Sequence, residues 1–152
     1  MNYDAVLFDL FGTLVDDRAI AFPGVRACLE ALAGDRWAIV TSCGTRFALS
    51  LIAHAGLPKP PLLVSADDVD RNKPAPDGYL EAARHFGVVP ARALVVEDSL
   101  QGIAAAREAG MDVVAVLRGR PPAFARAATF TVDQFSQLSF RSRDGVLALE
   151  VP

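Results

Sequence analysis

Short, almost unbroken apolar runs punctuate the chain at residues 5–10, 37–40, 62–64, 93–96, 113–116 and, more weakly, 130–132. Runs this short, rich in Val, Leu, Ile and Phe, predict strands covered on both faces, the condition of a parallel sheet. Between them the apolar positions take helical spacing, which predicts helices over 24–33, 47–55, 78–86 and 100–109. Pro23 and Gly24 open the first helix. Gly56, Gly87 and Gly110 follow the second, third and fourth, where a left-handed residue often ends a helix. Ser99 precedes the last, placed to cap its free amides through the side-chain oxygen. Strand and helix alternate, so the expected fold class is α/β: a three-layer α/β/α sandwich around a mainly parallel central sheet. The pattern weakens over 134–152, where a polar stretch at 139–145 precedes strand-like residues 146–151 whose placement stays open. Without an internal repeat or long linker, residues 1–152 are expected to form one domain.

Composition narrows the function class without naming it. The chain is 52% apolar and 22% charged, too hydrophobic for intrinsic disorder. A net charge of -3 with no basic stripe gives no nucleic-acid-binding signature and no attraction to an anionic membrane. No run approaches the ~20 apolar residues of a membrane span. The first residues carry no basic leader ahead of a long hydrophobic stretch. Cys28 and Cys43 are the only cysteines and lack metal spacing, which favours a reduced, cytoplasmic protein.

In an open parallel sheet, ligands bind beyond the carboxyl ends of the strands, near a switch in strand order. Four polar groups fall there: Asp9-Leu10-Phe11-Gly12-Thr13-Leu14, Thr41-Ser42-Cys43-Gly44, Lys73-Pro74-Ala75-Pro76-Asp77 and Glu97-Asp98-Ser99. Taken singly each has an ordinary explanation. A strand-end aspartate caps a turn, Thr and Ser form turns, and a lysine before proline is a solvated loop charge. Taken together, Asp9, Glu97 and Asp98 would repel one another unless a proton or cation is shared, and hard oxygen ligands suit Mg²⁺.

Those four segments, spread over 5–117, resemble the motifs of the haloacid dehalogenase-like hydrolases, and the last two are most similar to the sugar-phosphate phosphatase and β-phosphoglucomutase branch. The resemblance implies a Rossmann-like core and a magnesium-dependent phosphatase that hydrolyses a phosphate monoester through an aspartyl-phosphate. It implies Asp9 as nucleophile, with Thr41 and Lys73 completing the catalytic set. Thr41, Ser42, Cys43 and Lys73 are then expected to bind phosphate. Magnesium is expected on Asp9, the backbone carbonyl of Phe11, Glu97 and Asp98.

Two departures qualify the resemblance. Phosphatases of this family carry an aspartate two residues after the nucleophile as general acid and base, and here that position is Phe11. Three readings follow: a phosphatase for esters with a good leaving group, a slow or inactive phospho-ligand and magnesium binder, or a dehalogenase, whose family pattern has an aromatic there. The Glu97-Asp98 pair stands against the last. The second departure is the lid that family members insert after the first motif. Only residues 15–22 separate Leu14 from Pro23, so no cap domain fits. An open site suits a large or macromolecular phosphorylated substrate, a partner subunit that covers it (a homo-oligomer is one such arrangement), or poor discrimination among small-molecule substrates. His54 and His85 lack ligand partners in register and are read as surface or packing residues. Asp16, Asp17 and Arg18 are read as a solvated turn, and Phe135 and Phe140 as packing on a sheet edge or a second subunit.

Overall fold

A computed structural model describes residues 1–152. The chain runs β1 (Asn2–Tyr3), β2 (Ala5–Phe8), α1 (Val25–Ala31), β3 (Trp37–Val40), α2 (Thr45–His54), β4 (Leu62–Val64), α3 (Asp77–Phe86), β5 (Ala93–Glu97), α4 (Leu100–Glu108), β6 (Asp112–Val116), β7 (Phe130–Val132), β8 (Ser139–Arg143) and β9 (Val146–Glu150). Strands β2 to β7 form one six-stranded sheet in the order β4-β3-β2-β5-β6-β7, with every pairing parallel. Period-two alternation divides its core. Val6, Phe8, Trp37 and Ile39 belong to one apolar cluster, and Ala5, Leu7, Ala38 and Val40 to the other. Helices α1 and α2 contribute to the first cluster, α3 and α4 to the second, which gives the three layers expected from the pattern.

The first face holds more than helices. β8 and β9 form an antiparallel hairpin, and β9 also pairs with β1, making a three-stranded sheet in the order β1-β9-β8. Leu147 of β9 and Leu138 just before β8 join the cluster around Phe8. The Phe135 and Phe140 rings lie 6.1 and 6.3 Å from the Phe8 ring, so this pair closes the chain's own core. The segment left open by the sequence pattern is thereby placed. Its partner β1 was not anticipated, because two residues, Asn2 and Tyr3, carry no readable period.

Helix limits shift by one to two residues at points with local causes. α1 starts after Gly24, whose φ of 85° is left-handed and therefore outside the helix. α2 begins two residues before the expected Phe47, directly after Gly44. At α4 the Ser99 hydroxyl accepts from the Gly102 amide, the cap expected from the sequence. After β2, the chain turns so tightly that the Leu10 carbonyl accepts from the amides of Thr13, Leu14 and Val15. Isolated bridges tie Val15 to Phe11 and to Ala21, and the Phe22 amide donates to the Leu14 carbonyl. The segment before α1 is thus a compact pair of turns with no inserted lid. No helix is long and apolar enough to cross a membrane.

Candidate active site

Leaving β2 the chain moves outward through β3 and β4, then returns to the other side of β2 as β5. The β2/β5 boundary is therefore the switch in strand order, and the register there sets Phe8 beside Val96. The Asp9 amide continues the ladder to the Val96 carbonyl at 3.1 Å, which brings Asp9 alongside Glu97. Both carboxylates are buried. Lys73 reaches them from the loop between β4 and α3: its Nζ donates to Asp9 Oδ1 at 2.8 Å, Glu97 Oε1 at 2.7 Å and the Val40 carbonyl at 3.0 Å. Three acceptors match the three donors of an ammonium, so its direction is fixed.

Glu97 is held more tightly still. The Tyr79 hydroxyl donates to Oε1 at 2.8 Å, while Oε2 accepts from the amides of Asp98 and Ser99 and from the Ser99 hydroxyl. A Cβ on Gly102 would stand 1.6 Å from Glu97 Oε1, so only glycine leaves space for this carboxylate under α4. Across the cluster, the buried Thr13 hydroxyl lies 3.0 Å from Asp9 Oδ2 and 3.1 Å from Asp98 Oδ1, where it links the two carboxylates. Arg118 holds the turn behind them: its guanidinium donates to the carbonyls of Gly12 and Thr13 and stacks on the Phe22 ring at 3.5 Å. Its φ of 49° is left-handed, a conformation uncommon for a residue other than glycine.

Burial, with Glu97 and Asp98 close by, pushes the Asp9 carboxyl up to about 7 against the pull of Lys73. Asp98 is raised too, by burial and then by Glu97, although Thr13, Arg118 and Arg120 oppose the shift. Burial disfavours the charge on Lys73, but the Asp9 and Glu97 carboxylates outweigh it and lift the group to about 12. Asp9, Glu97 and Asp98 each offer an oxygen, all within 4.8 Å of one another. Three carboxylates against one directly bonded lysine form an electron-rich, all-oxygen set, and such a donor set fits a hard divalent cation. The Phe11 carbonyl accepts no hydrogen bond from the protein. Glu97, by contrast, has both oxygens engaged by donors and would have to exchange one of them to touch a cation.

A cavity of about 540 Å³ opens onto this cluster. Asp9, Thr41 and Lys73 line it together with Ser42 and Cys43, so the expected nucleophile and phosphate-binding groups share one space. The Thr41 Oγ1 and Cys43 Sγ atoms are 3.1 Å apart. Phe11 and Phe47 line the same space and are 52% and 57% exposed, which puts aromatic side chains at its mouth. Thr13, Tyr79, Gly102 and Arg118 were missed as contributors. Thr13 lies inside the first motif and Gly102 three residues past the last, whereas nothing local marks Tyr79 or Arg118. Asp16 accepts from the amides of Arg18 and Ile20, as the solvated-turn reading requires.

Known proteins place this arrangement. A family model described as haloacid dehalogenase-like hydrolase matches residues 18–116, a span that includes Thr41, Lys73, Glu97 and Asp98 but begins after Asp9. Hexitol phosphatase A of Escherichia coli is 44% identical over 98 residues, 63% of this chain and 45% of that protein. Fructose-1-phosphate phosphatase YqaB of the same organism is 45% identical over 80 residues, 52% and 43% of the two chains. The chain thus spans less than half the length of these curated relatives. CbbY from Rhodobacter sphaeroides, solved with xylulose-(1,5)bisphosphate, has the same fold at a TM-score of 0.78 and 21% identity, covering 90% of this chain and 96% of that one. With the matched segment, the parallel sheet and the motif residues gathered at its switch point, the chain belongs to the haloacid dehalogenase-like hydrolases.

Proposed function

We propose that this protein is a magnesium-dependent phosphatase that hydrolyses a phosphate monoester through an aspartyl-phosphate on Asp9. The observation that carries the proposal is the Lys73 ammonium, 2.8 Å from Asp9 and 2.7 Å from Glu97, in a cavity shared with Thr41. Phosphoryl transfer leaves little covalent chemistry to the protein beyond the nucleophile, so catalysis lies in positioning and in charge opposite the phosphoryl oxygens.

In the first step an Asp9 oxygen attacks phosphorus and the ester P–O bond breaks, with the electron pair leaving on the alcohol oxygen. Lys73 orients Asp9 beforehand and supplies positive charge to the transferring group. Thr41 and the residues after it offer hydroxyls and amides to the same oxygens. Water then attacks phosphorus, the bond to Asp9 breaks, and the carboxylate returns. Magnesium, held by Asp9, Asp98 and the Phe11 carbonyl with Glu97 as the remaining candidate, would neutralise the charge shared between carboxylates and phosphate. Thr13 and Arg118 keep the Asp9 turn and Asp98 in place for that role.

Relatives named for hexitol and fructose-1-phosphate support a phosphorylated small molecule as substrate. The two unpaired cysteines accord with a reducing, cytoplasmic setting, and residues 1–152 act as one catalytic unit in this reading. One observation favours a second reading: Phe11 stands where the family's proton donor belongs, which suits a slow enzyme or a phospho-ligand binder. Phosphate release from acetyl phosphate, with and without Mg²⁺, separates the two. Metal-dependent release that disappears in Asp9→Asn supports the enzyme. No release above that variant, with Mg²⁺ still binding, supports the binder.

A further inference from the structure

We infer that the leaving group this site accepts is an aromatic alcohol, held by Phe47 and Phe11 at the mouth of the cavity; the inference rests on the phosphatase reading and extends it to a substrate class. Two independent features of the cavity converge on that class. The first is chemical. Among the residues around the cavity, Lys73 is committed to Asp9 and Glu97, Asp9 to Lys73 and Thr13, and no further carboxylate or histidine lines it. Nothing there is placed to protonate a departing alkoxide. A phenolate needs no such help, because a phenol is a far stronger acid than an aliphatic alcohol; tyrosine, an ordinary phenol, has a pKa of ~10.

The second feature is the wall. Beyond the groups that would face the phosphoryl unit, the lining is Phe11 and Phe47 with the neutral Gln101 and Ser99, whose hydroxyl is already bonded to Glu97 and the Gly102 amide. Both rings are more than half exposed, and they are the two exposed apolar aromatic side chains of the chain, whose other exposed large apolar residues are aliphatic. No arginine and no second lysine lines the cavity, so a second phosphate or a carboxylate on the leaving group finds no partner. A polyol would likewise leave most of its hydroxyls unmatched against two phenyl rings. A flat apolar ring matches them by offset or edge-to-face packing.

The step balances without a protein acid. Asp9 forms a bond to phosphorus as the phosphorus–oxygen bond to the aryl group's oxygen breaks, the aryloxide leaves with the electron pair, and it takes its proton from solvent. Water supplies the oxygen of the second step and gives its proton to solvent or to the phosphate. The sum is aryl phosphate plus water to phenol plus inorganic phosphate.

Phenyl phosphate and cyclohexyl phosphate carry rings of similar size but differ in leaving-group acidity, and acetyl phosphate has a good leaving group without a ring. With Mg²⁺ present, kcat/KM for phenyl phosphate is expected to exceed that for cyclohexyl phosphate by about 100-fold or more, the lower end of what a positioned acid would otherwise supply. Phe47→Ala should raise KM for phenyl phosphate about tenfold more than for acetyl phosphate, the loss of roughly one aromatic packing partner. Phe11→Asp should raise kcat for cyclohexyl phosphate at least about tenfold more than for phenyl phosphate. Acetyl phosphate turnover with phenyl and cyclohexyl phosphates hydrolysed within about threefold of each other would overturn the aromatic assignment and leave the phosphatase intact. Loss of metal-dependent turnover on acetyl phosphate as well would overturn both.

Discussion

The floor and the mouth of one cavity are built in opposite ways. At the floor, Asp9, Lys73, Glu97 and Thr13 are buried or nearly so, each is bonded to at least one other, and no buried side-chain polar atom in the molecule lacks a partner. At the mouth, Phe11 and Phe47 stand in solvent. A network whose members fix each other tolerates few changes, because removing one group leaves its buried partners uncompensated. An exposed ring tolerates many. On the proposed reading the floor specifies the reaction and the mouth selects the substrate, so substitutions in the two regions should fail differently.

The largest effect expected is at the nucleophile. Asp9→Asn keeps the size of the side chain and should lower turnover by about 10⁴-fold or more, while circular dichroism stays native. A loss under tenfold would show that another group accepts the phosphoryl. Gly102→Ala tests the floor from beneath, since its Cβ would overlap Glu97 Oε1 and force that carboxylate away from Lys73. A loss of about 100-fold in kcat and ~1–3 kcal/mol in stability is expected. Wild-type rates in this variant would mean that Glu97 does not position Lys73.

Arg118 comes next, acting through the turn rather than on substrate. Arg118→Ala removes two carbonyl contacts and the stack on Phe22, and should reduce kcat about tenfold and stability by ~1–2 kcal/mol. Arg118→Lys should restore little, because a lysine cannot donate to both carbonyls with a planar fork. Full rescue by lysine would leave only a charge effect.

The smallest effect is in pH dependence. Asp9 is raised to about 7 in the fold, above an ordinary aspartate near ~4, so between those values the folded protein binds a proton that the unfolded chain does not. Its contribution to stability is complete below the unfolded pKa and is lost as pH rises through about 7, and Asp98 shifts in the same direction. Metal-free protein should therefore lose thermal stability from pH 5 to 8, and Asp9→Asn or saturating Mg²⁺ should flatten that fall. An equal fall in all three would assign the pH dependence to groups away from the floor.

Much of this was readable in the residues. The buried strands announced themselves because a parallel strand covered on both faces has to be apolar at nearly every position, as in Ala5–Phe8 and Trp37–Val40. Three polar strand ends were legible because they interrupt those runs, and the fourth group, Lys73, by the stiff Pro-Ala-Pro that follows it in the loop before α3; the structure brings all four to one cavity or its edge. What stayed hidden depends on contacts distant in sequence. Arg118 lies 106 residues from the Gly12 carbonyl it engages, and Tyr79 lies 18 from Glu97. β1 is two residues long and exists only because β9 pairs with it. The engagement of both Glu97 oxygens was equally unreadable, because spacing shows which residues meet and not which lone pairs remain free.

The claim on which the rest depends is that Asp9 carries the phosphoryl group. Protein turning over phenyl phosphate with Mg²⁺ is quenched in acid, reduced with borohydride and digested, and the peptide containing Asp9 is read by mass spectrometry. The account predicts reduction of Asp9 to homoserine that requires both substrate and metal and is blocked by Lys73→Met. Turnover with Asp9 unmodified, or with the reduced residue elsewhere in the chain, would contradict it.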